Sequence, residues 1–401
     1  MGNLSGVDRM MDVLIVGAGP AGIGCALALK ACGVRAQLVD AEGVGAAFTR
    51  WPLQMRLITP SFHSNPFGSV DLNAVSPDTS PADFLHTQHP EGREYARYLR
   101  ALVVHHGLMV DTPTRVTAVK PGGDGFFDLE TNRGRHQARF VIWAAGEYGR
   151  PDEGGISGAE MCLHNSRVRD WDELAQEGDQ FVVIGGYESG IDAVVNLMER
   201  GKEVRVLSRG EPWGLDDPDP SRSLSPRTRD RLRQALLEAP GQVRFYKNAD
   251  IIRVSRSASG YELVDVDGTT TSSVTRPILC TGFRSALEQP LMRGLWEWRG
   301  GQPVLSETAD ESTITPGLFY SGPSLQHRGM LFCFIYKFRS RFGVIAREIA
   351  QRLGREWEGP LALWRERGFM LDDLDCCADC QCAVEAEETV NPEVLDYAAR
   401  A

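Results

Sequence analysis

The stretch Asp12-Val13-Leu14-Ile15-Val16-Gly17-Ala18-Gly19-Pro20-Ala21-Gly22 decides how the chain folds. Its first five residues make a short apolar run, rich in branched side chains and ending in glycine, as a buried parallel strand does. Beyond it, Ile23, Ala26, Leu27 and Ala31 fall at one-face spacing and predict a helix. Gln37-Leu38-Val39-Asp40 reads as a second parallel strand. Together these form a βαβ unit that cradles a dinucleotide. Gly17 makes the tight turn, Gly19 admits a diphosphate and Gly22 lets the helix pack on the strand. Pro20 and Ala21 complete the cradle, and Asp40 stands where a carboxylate accepts hydrogen bonds from a ribose.

The pattern recurs further on. Phe181-Val182-Val183-Ile184 leads into Gly185-Gly186-Tyr187-Glu188-Ser189-Gly190. A helix with Ile191, Val194, Val195 and Met198 on one face follows, then a strand over 203–207. Gly185, Ser189 and Gly190 keep the second cradle, but Tyr187 takes the middle glycine position. The second strand ends in Ser208-Arg209 instead of an acid. An arginine there pairs with a 2′-phosphate that an acid would repel, so NADPH is expected over NADH. Two dinucleotide units in one chain imply two nucleotides.

Between and beyond the units the sequence is less regular. Residues 43–110 are rich in Pro, Ser, His and aromatics and read as a functional insertion. Strand-like runs return at 115–119, 126–129 and 140–144. A strand near 317–320 and a helix near 341–353 follow the second unit, and Phe332, Phe334, Tyr336 and Phe338 alternate as core residues do. The loop at 209–227 carries Trp213, Asp216, Asp217 and Asp219, a solvated acidic loop or a substrate lid.

These motifs resemble the two-dinucleotide-binding-domain flavoproteins, related to the pyridine nucleotide-disulfide oxidoreductases, and their flavin-dependent monooxygenase-like branch in particular. The resemblance spans residues 11–355. Besides both loops it rests on Gly45-Ala46-Ala47-Phe48-Thr49-Arg50-Trp51-Pro52, on Ala144-Ala145-Gly146-Glu147, on Cys280-Thr281-Gly282-Phe283 and on Gly317-Leu318-Phe319-Tyr320-Ser321-Gly322. It implies that FAD is held by the first loop, with Trp51, Gly146 and Gly322 beside it, and that NADPH lies on the second. It also implies an α/β fold of two Rossmann-like domains. The FAD domain is discontinuous (1–165 and 286–365), the NADPH domain is inserted (166–285), and a tail occupies 366–401.

The chemistry divides on a few residues. In the resembling monooxygenases a short Asn-bearing stretch lies against the flavin ring, which makes Asn65 and His63 catalytic candidates here. Gly158 and His164 form a loosened version of the monooxygenase fingerprint. Gln326, His327 and Arg328 are candidates for the far side of the flavin. Against these stands Asp375-Cys376-Cys377-Ala378-Asp379-Cys380-Gln381-Cys382, which places Cys376, Cys377, Cys380 and Cys382 close enough to bind Zn(II) or Cu(I) or to relay electrons as dithiols. The leading expectation is an NADPH-consuming monooxygenase that oxygenates a soft nitrogen or sulfur nucleophile. The alternatives are a reductase of a disulfide or metal ion working through Cys376 and Cys377, and a redox-sensing flavin-binding protein.

Composition bounds the partners. The 401 residues exceed what one hydrophobic core serves, and the net charge of −11 argues against nucleic acid. No apolar run approaches the ~20 residues that cross a bilayer. A cytoplasmic enzyme with a small-molecule substrate or a thiol/disulfide acceptor is expected, and a homodimer is an allowed assembly. Of the nine cysteines, the five outside the tail are scattered, and four of them lie in apolar surroundings that suit an inert buried thiol.

Overall fold

A computed structural model describes residues 10–64, 67–123, 125–215, 217 and 219–375. Residues 10–149 supply β1 (Met10–Val16), α1 (Pro20–Ala31), β2 (Ala36–Val39), α2 (Ala46–Thr49), α3 (Pro81–Leu85) and α4 (Gly92–His105). They continue with β3 (Met109–Asp111), β4 (Val116–Pro121), β5 (Phe127–Thr131) and β6 (Gly134–Trp143). Residues 150–284 begin with β7 (Leu163–His164), α5 (Trp171–Leu174), β8 (Gln180–Ile184), α6 (Glu188–Met198), β9 (Glu203–Leu207) and α7 (Pro226–Glu238). There follow β10 (Val243–Tyr246), β11 (Ile251–Ser257), β12 (Gly260–Asp265), β13 (Thr270–Ser273) and β14 (Ile278–Leu279). The chain then adds α8 (Pro290–Arg293), the hairpin β15 (Glu297–Arg299) and β16 (Gln302–Val304), β17 (Leu318–Tyr320), α9 (Ile335–Phe338), α10 (Phe342–Arg352) and α11 (Ala362–Glu366).

Contacts divide the described residues into two compact units, the first within 1–49, 60–149 and 285–380 and the second within 50–59 and 150–284. In the first, the sheet runs β3-β2-β1-β6-β5-β4, and β17 also pairs with β6. β1 is parallel to β2 and to β6, with Val16 opposite both Val39 and Trp143. Consecutive residues Val13, Leu14 and Ile15 are fully buried because layers cover both faces of the sheet. The strand order reverses between β1 and β6, which is where such sheets open a crevice for ligands.

Two features of this unit differ from the sequence reading. The one-face helix expected after Gly22 is instead buried almost all round, from Ala21 to Leu29. Its second face packs on α10, where a Cβ added to Gly24 would stand 2.0 Å from the Phe342 ring. Within the supposedly irregular 43–110, α4 is a full helix with a Glu91/Glu94 capping box. Its buried Tyr95, Tyr98, Leu99 and Leu102 follow helical spacing, masked in the sequence by the Pro- and Ser-rich context on either side.

The C-terminal part of the unit is fixed by a buried ionic cluster. Asp310 accepts from Arg341 Nε and Nη2 at 3.0 Å and from His327 Nε2 at 2.6 Å. Arg328 is held by Glu307 and by Asp375. His327 and Arg328, candidates for the far side of the flavin, are thus both engaged with carboxylates. Phe334 and Tyr336 do not alternate as strand residues; they stack on each other at 5.4 Å across the start of α9 and stay half-exposed.

The second unit holds a parallel sheet, β10-β9-β8-β14-β7, beside an antiparallel one, β11-β12-β13. Phe181 and Val183 of β8 meet Ile191, Val194 and Leu197 of α6 in its core. The unit begins at 150 instead of 166 because β7 is the edge strand beside β14. Residues 50–59 join it as well: Leu53 N–H donates to Arg169 O at 2.9 Å, and Gln54 Nε2 to Asp170 Oδ1 at 2.7 Å.

Candidate functional site

The first loop is built by close backbone contacts. Gly17, at φ +115°, could carry no side chain, since a Cβ would stand 2.2 Å from Ala144 O at the end of β6. Gly22 is equally constrained: its Cβ would lie 2.0 Å from Gly17 O. Gly19 is different. Its φ of −88° and ψ of −171° suit any residue, and a Cβ there would meet nothing within 4 Å. Its glycine therefore serves open space and not backbone conformation. Gly19 is also the N-cap of α1 without a side-chain cap bond, so the first-turn N–H groups, with Pro20 at N1, are left for an anion.

Asp40 shapes this loop. Its Oδ2 accepts from Ala18 N–H and its Oδ1 from Glu42 and Gly43 N–H, each at 2.8 Å. A carboxylate offers about four lone-pair positions, so one remains on Oδ2 for a ribose hydroxyl. Gly45 N–H donates to Ala18 O at 3.0 Å, bringing the Gly45 turn against the loop. Gly146 (φ +64°) turns the chain just beyond the Ala144 contact, and Gly322 (φ +148°) does so beyond β17.

The second unit repeats this construction nearly atom for atom. A Cβ on Gly185 would stand 2.3 Å from Cys280 O, and one on Gly190 would stand 2.0 Å from Gly185 O. Gly17 N–H donates to Val39 O and Gly185 N–H to Leu207 O, both at 2.8 Å. Tyr187 occupies the place of Gly19 with almost the same backbone, φ −90° and ψ −164°. Its ring is drawn aside, and its hydroxyl donates to Ser223 O at 2.8 Å. Trp213 lies over the loop, 2.5 Å from where a Gly186 Cβ would be, and packs on Phe245 at 4.6 Å. Glu188, at the first turn of α6, is turned to the start of α7 and accepts from Thr228 Oγ1 at 2.6 Å. Burial raises its pKa, against those hydrogen bonds.

The other expected residues are dispersed. Arg209 follows the end of β9, exposed and without an ion pair among the described residues. Ser189 O accepts from the Cys280 thiol at 3.4 Å. Trp51 lies in the 50–59 segment of the second unit. His63 is exposed and paired with Asp83. His164 is buried, with Nε2 3.0 Å from Gly282 O, and it clamps the turn that follows β14. Burial lowers its pKa, so it suits a structural neutral imidazole. Asp217 and Asp219 accept from N–H groups of their own loop. Asn65, Asp216, Cys376, Cys377, Cys380 and Cys382 lie outside the described residues.

Burial pushes the thiols of Cys25 and Cys162 up to about 12 and that of Cys32 up to about 11; Cys280 rises as well. Inert buried thiols are what the apolar surroundings of these four suggested. Cys333 is exposed, and no disulfide or metal-holding cluster occurs among the described residues. No helix among them is long and apolar enough to cross a membrane.

Residues 14–322, more than half of the chain, match the family model described as pyridine nucleotide-disulphide oxidoreductase. The chain belongs to this family. The oxidoreductase is 25% identical over 234 residues to a ferredoxin–NADP reductase of Ignicoccus hospitalis, covering 58% of this chain and 67% of that one. It is 25% identical to the bacilliredoxin reductase Bdr of Bacillus subtilis, covering 51% of this chain and 61% of that one. Solved structures share its fold. The bacillithiol disulfide reductase Bdr (YpdA) from Staphylococcus aureus matches with a TM-score of 0.68 at 21% identity, covering 86% of this chain and 99% of the other. A flavin-containing monooxygenase from Stenotrophomonas maltophilia gives 0.66 at 21% identity with the same coverage.

Membership brings the family's cofactor pair, FAD and a nicotinamide nucleotide, and the residues of this oxidoreductase fit it. The open ground at Gly19, the uncapped start of α1 and the spare Asp40 lone pair suit a dinucleotide diphosphate and ribose. Sequence reasoning gave one residue of this edge no role. Glu147, just past Gly146, lies 3.5 Å from Ser324 Oγ, a single weak hydrogen bond. Desolvation, opposed by that bond, pushes its carboxyl up to about 7.

Proposed function

We propose that the chain is an NADPH-dependent, FAD-containing monooxygenase-like enzyme acting on a soft nitrogen or sulfur nucleophile. The observation that carries this reading is the state of the cysteines: among the described residues none forms a disulfide, and four of the five thiols are buried with their pKa pushed up, which disfavours the reactive thiolate. Thiol relay of electrons from FAD is thereby disfavoured at these four, so direct use by oxygen and a small substrate is favoured. FAD supplies hydride acceptance and onward electron transfer when bound. On this reading the first unit holds FAD through Gly17–Gly22, Asp40, Gly146 and Gly322. The second holds NADPH through Gly185–Gly190, with Arg209 on the 2′-phosphate.

The second reading is reduction of a disulfide or metal ion through Cys376 and Cys377. The four cysteines within 376–382 favour it, as does the likeness to the bacillithiol and bacilliredoxin reductases. Rapid mixing separates the two. The enzyme is reduced with NADPH and mixed with oxygenated buffer. A transient near-ultraviolet absorbance band preceding reoxidation is expected. Featureless reoxidation together with turnover of an added disulfide would establish the reductase instead.

A further inference from the structure

Glu147 stands at the edge where the strand order of the first sheet reverses. Ala144 N–H donates to Val16 O at 2.8 Å, fixing the end of β6 against the first loop, and Glu147 follows three residues on. Its carboxylate meets Ser324, just beyond β17, which pairs with β6 from the other side. The side chain is thus carried by the carboxyl ends of two neighbouring strands, where doubly wound sheets bind their ligands. The groups that face it are the hydroxyls of Ser324 and of Tyr320, whose OH accepts from Ser324 N–H at 3.0 Å. Burial raises the pKa of Tyr320 well above the ordinary tyrosine range, so neither hydroxyl carries charge near neutrality. Among the described residues no cation pairs with Glu147. A negative charge that grows beside a carboxylate in such a place raises its proton affinity, and the proton it then takes up neutralises it.

We propose that Glu147 is the charge-compensating residue of the FAD site, taking a proton from solvent as the bound cofactor accepts a hydride. The inference rests on the placement of FAD in the first unit. The balance is simple. NAD(P)H gives up a hydride (two electrons and one proton) and leaves as NAD(P)+, so the bound FAD gains one negative charge. A proton from water joins the Glu147 carboxylate, and the charge of the site is unchanged. Ionised Glu147 would oppose reduction, and protonated Glu147 would not. The coupling therefore shows above the pH at which Glu147 ionises in the oxidised enzyme, a window that opens near pH 7.

The test is the midpoint potential of the FAD-loaded, full-length enzyme, followed by spectroelectrochemistry from pH 5.5 to 9. In the wild type, proton uptake per two electrons should rise from one toward two on passing pH 7, doubling the slope of potential against pH. Glu147→Gln should keep the one-proton slope throughout, and Glu147→Asp should restore the steeper segment. Parallel lines for wild type and Glu147→Gln would overturn the proposal. Should that variant not fold, infrared difference spectra of the wild type at pH 8 decide: a protonated-carboxyl band gained on reduction supports it, and its absence overturns it. If Gly19→Val keeps its FAD, the placement of FAD has failed; if Gly19→Val loses FAD while the lines stay parallel, only the role of Glu147 has.

Discussion

At the scale of single residues, Gly19 and Tyr187 make a controlled comparison within one molecule. Both hold the same backbone conformation, so the difference between them is one of side-chain volume beside a phosphate site. Gly19→Val should therefore fold normally, since an extended backbone suits a β-branched residue and the space is empty. It should nonetheless lose FAD. Unfolding of the FAD-free protein and the flavin content after purification check the two halves separately, and a yellow variant would refute the assignment. Glu147 yields a prediction of known sign. Burial pushes its carboxyl up to about 7 in the fold against 4.5 ordinarily, so the folded state binds the proton more tightly. Its contribution to stability is then lost as pH rises through that interval. Relative to the wild type, FAD-free Glu147→Gln should gain about 1–2 kcal/mol between pH 5 and pH 8, the full shift being reduced because solvent reaches part of the side chain. Denaturant melts at the two pH values test this.

At the scale of elements, the packing of α1 makes a prediction that runs against helix propensity. Alanine is the better helix former by about 1 kcal/mol, yet Gly24→Ala places a methyl group into the buried Phe342 ring. A net loss of about 1–2 kcal/mol is expected, read from urea melts; a gain would mean that α10 yields easily. At the end of β9, Arg209→Ala should raise the Michaelis constant for NADPH by about ten- to a hundredfold, the loss of a charge-assisted bond worth ~1.5–3 kcal/mol. NADH should be almost unaffected, and equal weakening of both would remove Arg209 from the 2′-phosphate. Elements with strong local periodicity were legible in the sequence. β1, β8, β9 and α6 lie where the apolar spacing put them, since each is framed by a glycine turn. α4 escaped because its apolar face is half tyrosine and its cap is an atypical Glu91. The second buried face of α1 escaped because only distant sequence, at Phe342, reveals it.

At the scale of the whole molecule, the chemistry is carried by features of different legibility. The two cradles could be read from local spacing, because Gly22 and Gly190 answer to the turn of their own βαβ unit, and Gly17 and Gly185 to the chain at the end of a neighbouring strand. The bond from Ala18 N–H to Asp40, the Trp213 cover on Gly186 and the isolation of Glu147 depend on tertiary neighbours that no motif encodes. The described residues carry the oxygenating reading and the cysteines beyond them the reductase one, and one experiment separates the two. Cys376→Ser with Cys377→Ser should leave NADPH-dependent reduction of FAD and substrate-coupled oxygen consumption at the wild-type rate. Collapse of turnover with a disulfide acceptor, where the wild type has it, would transfer the function to those thiols. The repeated turn has one more consequence, and it concerns residence time. The first copy springs from a helix buried between its sheet and α10, so the hydrogen-bonded amides of the α1 body exchange with solvent only when the unit opens as a whole. The second copy is roofed by Trp213, which stands on a loop outside the regular elements, so a local opening would suffice to uncover it. Under the proposed placement of the two nucleotides, one stereochemical device would furnish both a permanent tenancy and a revolving door, and hydrogen exchange should find α1 among the slowest helices and 209–215 among the fastest segments.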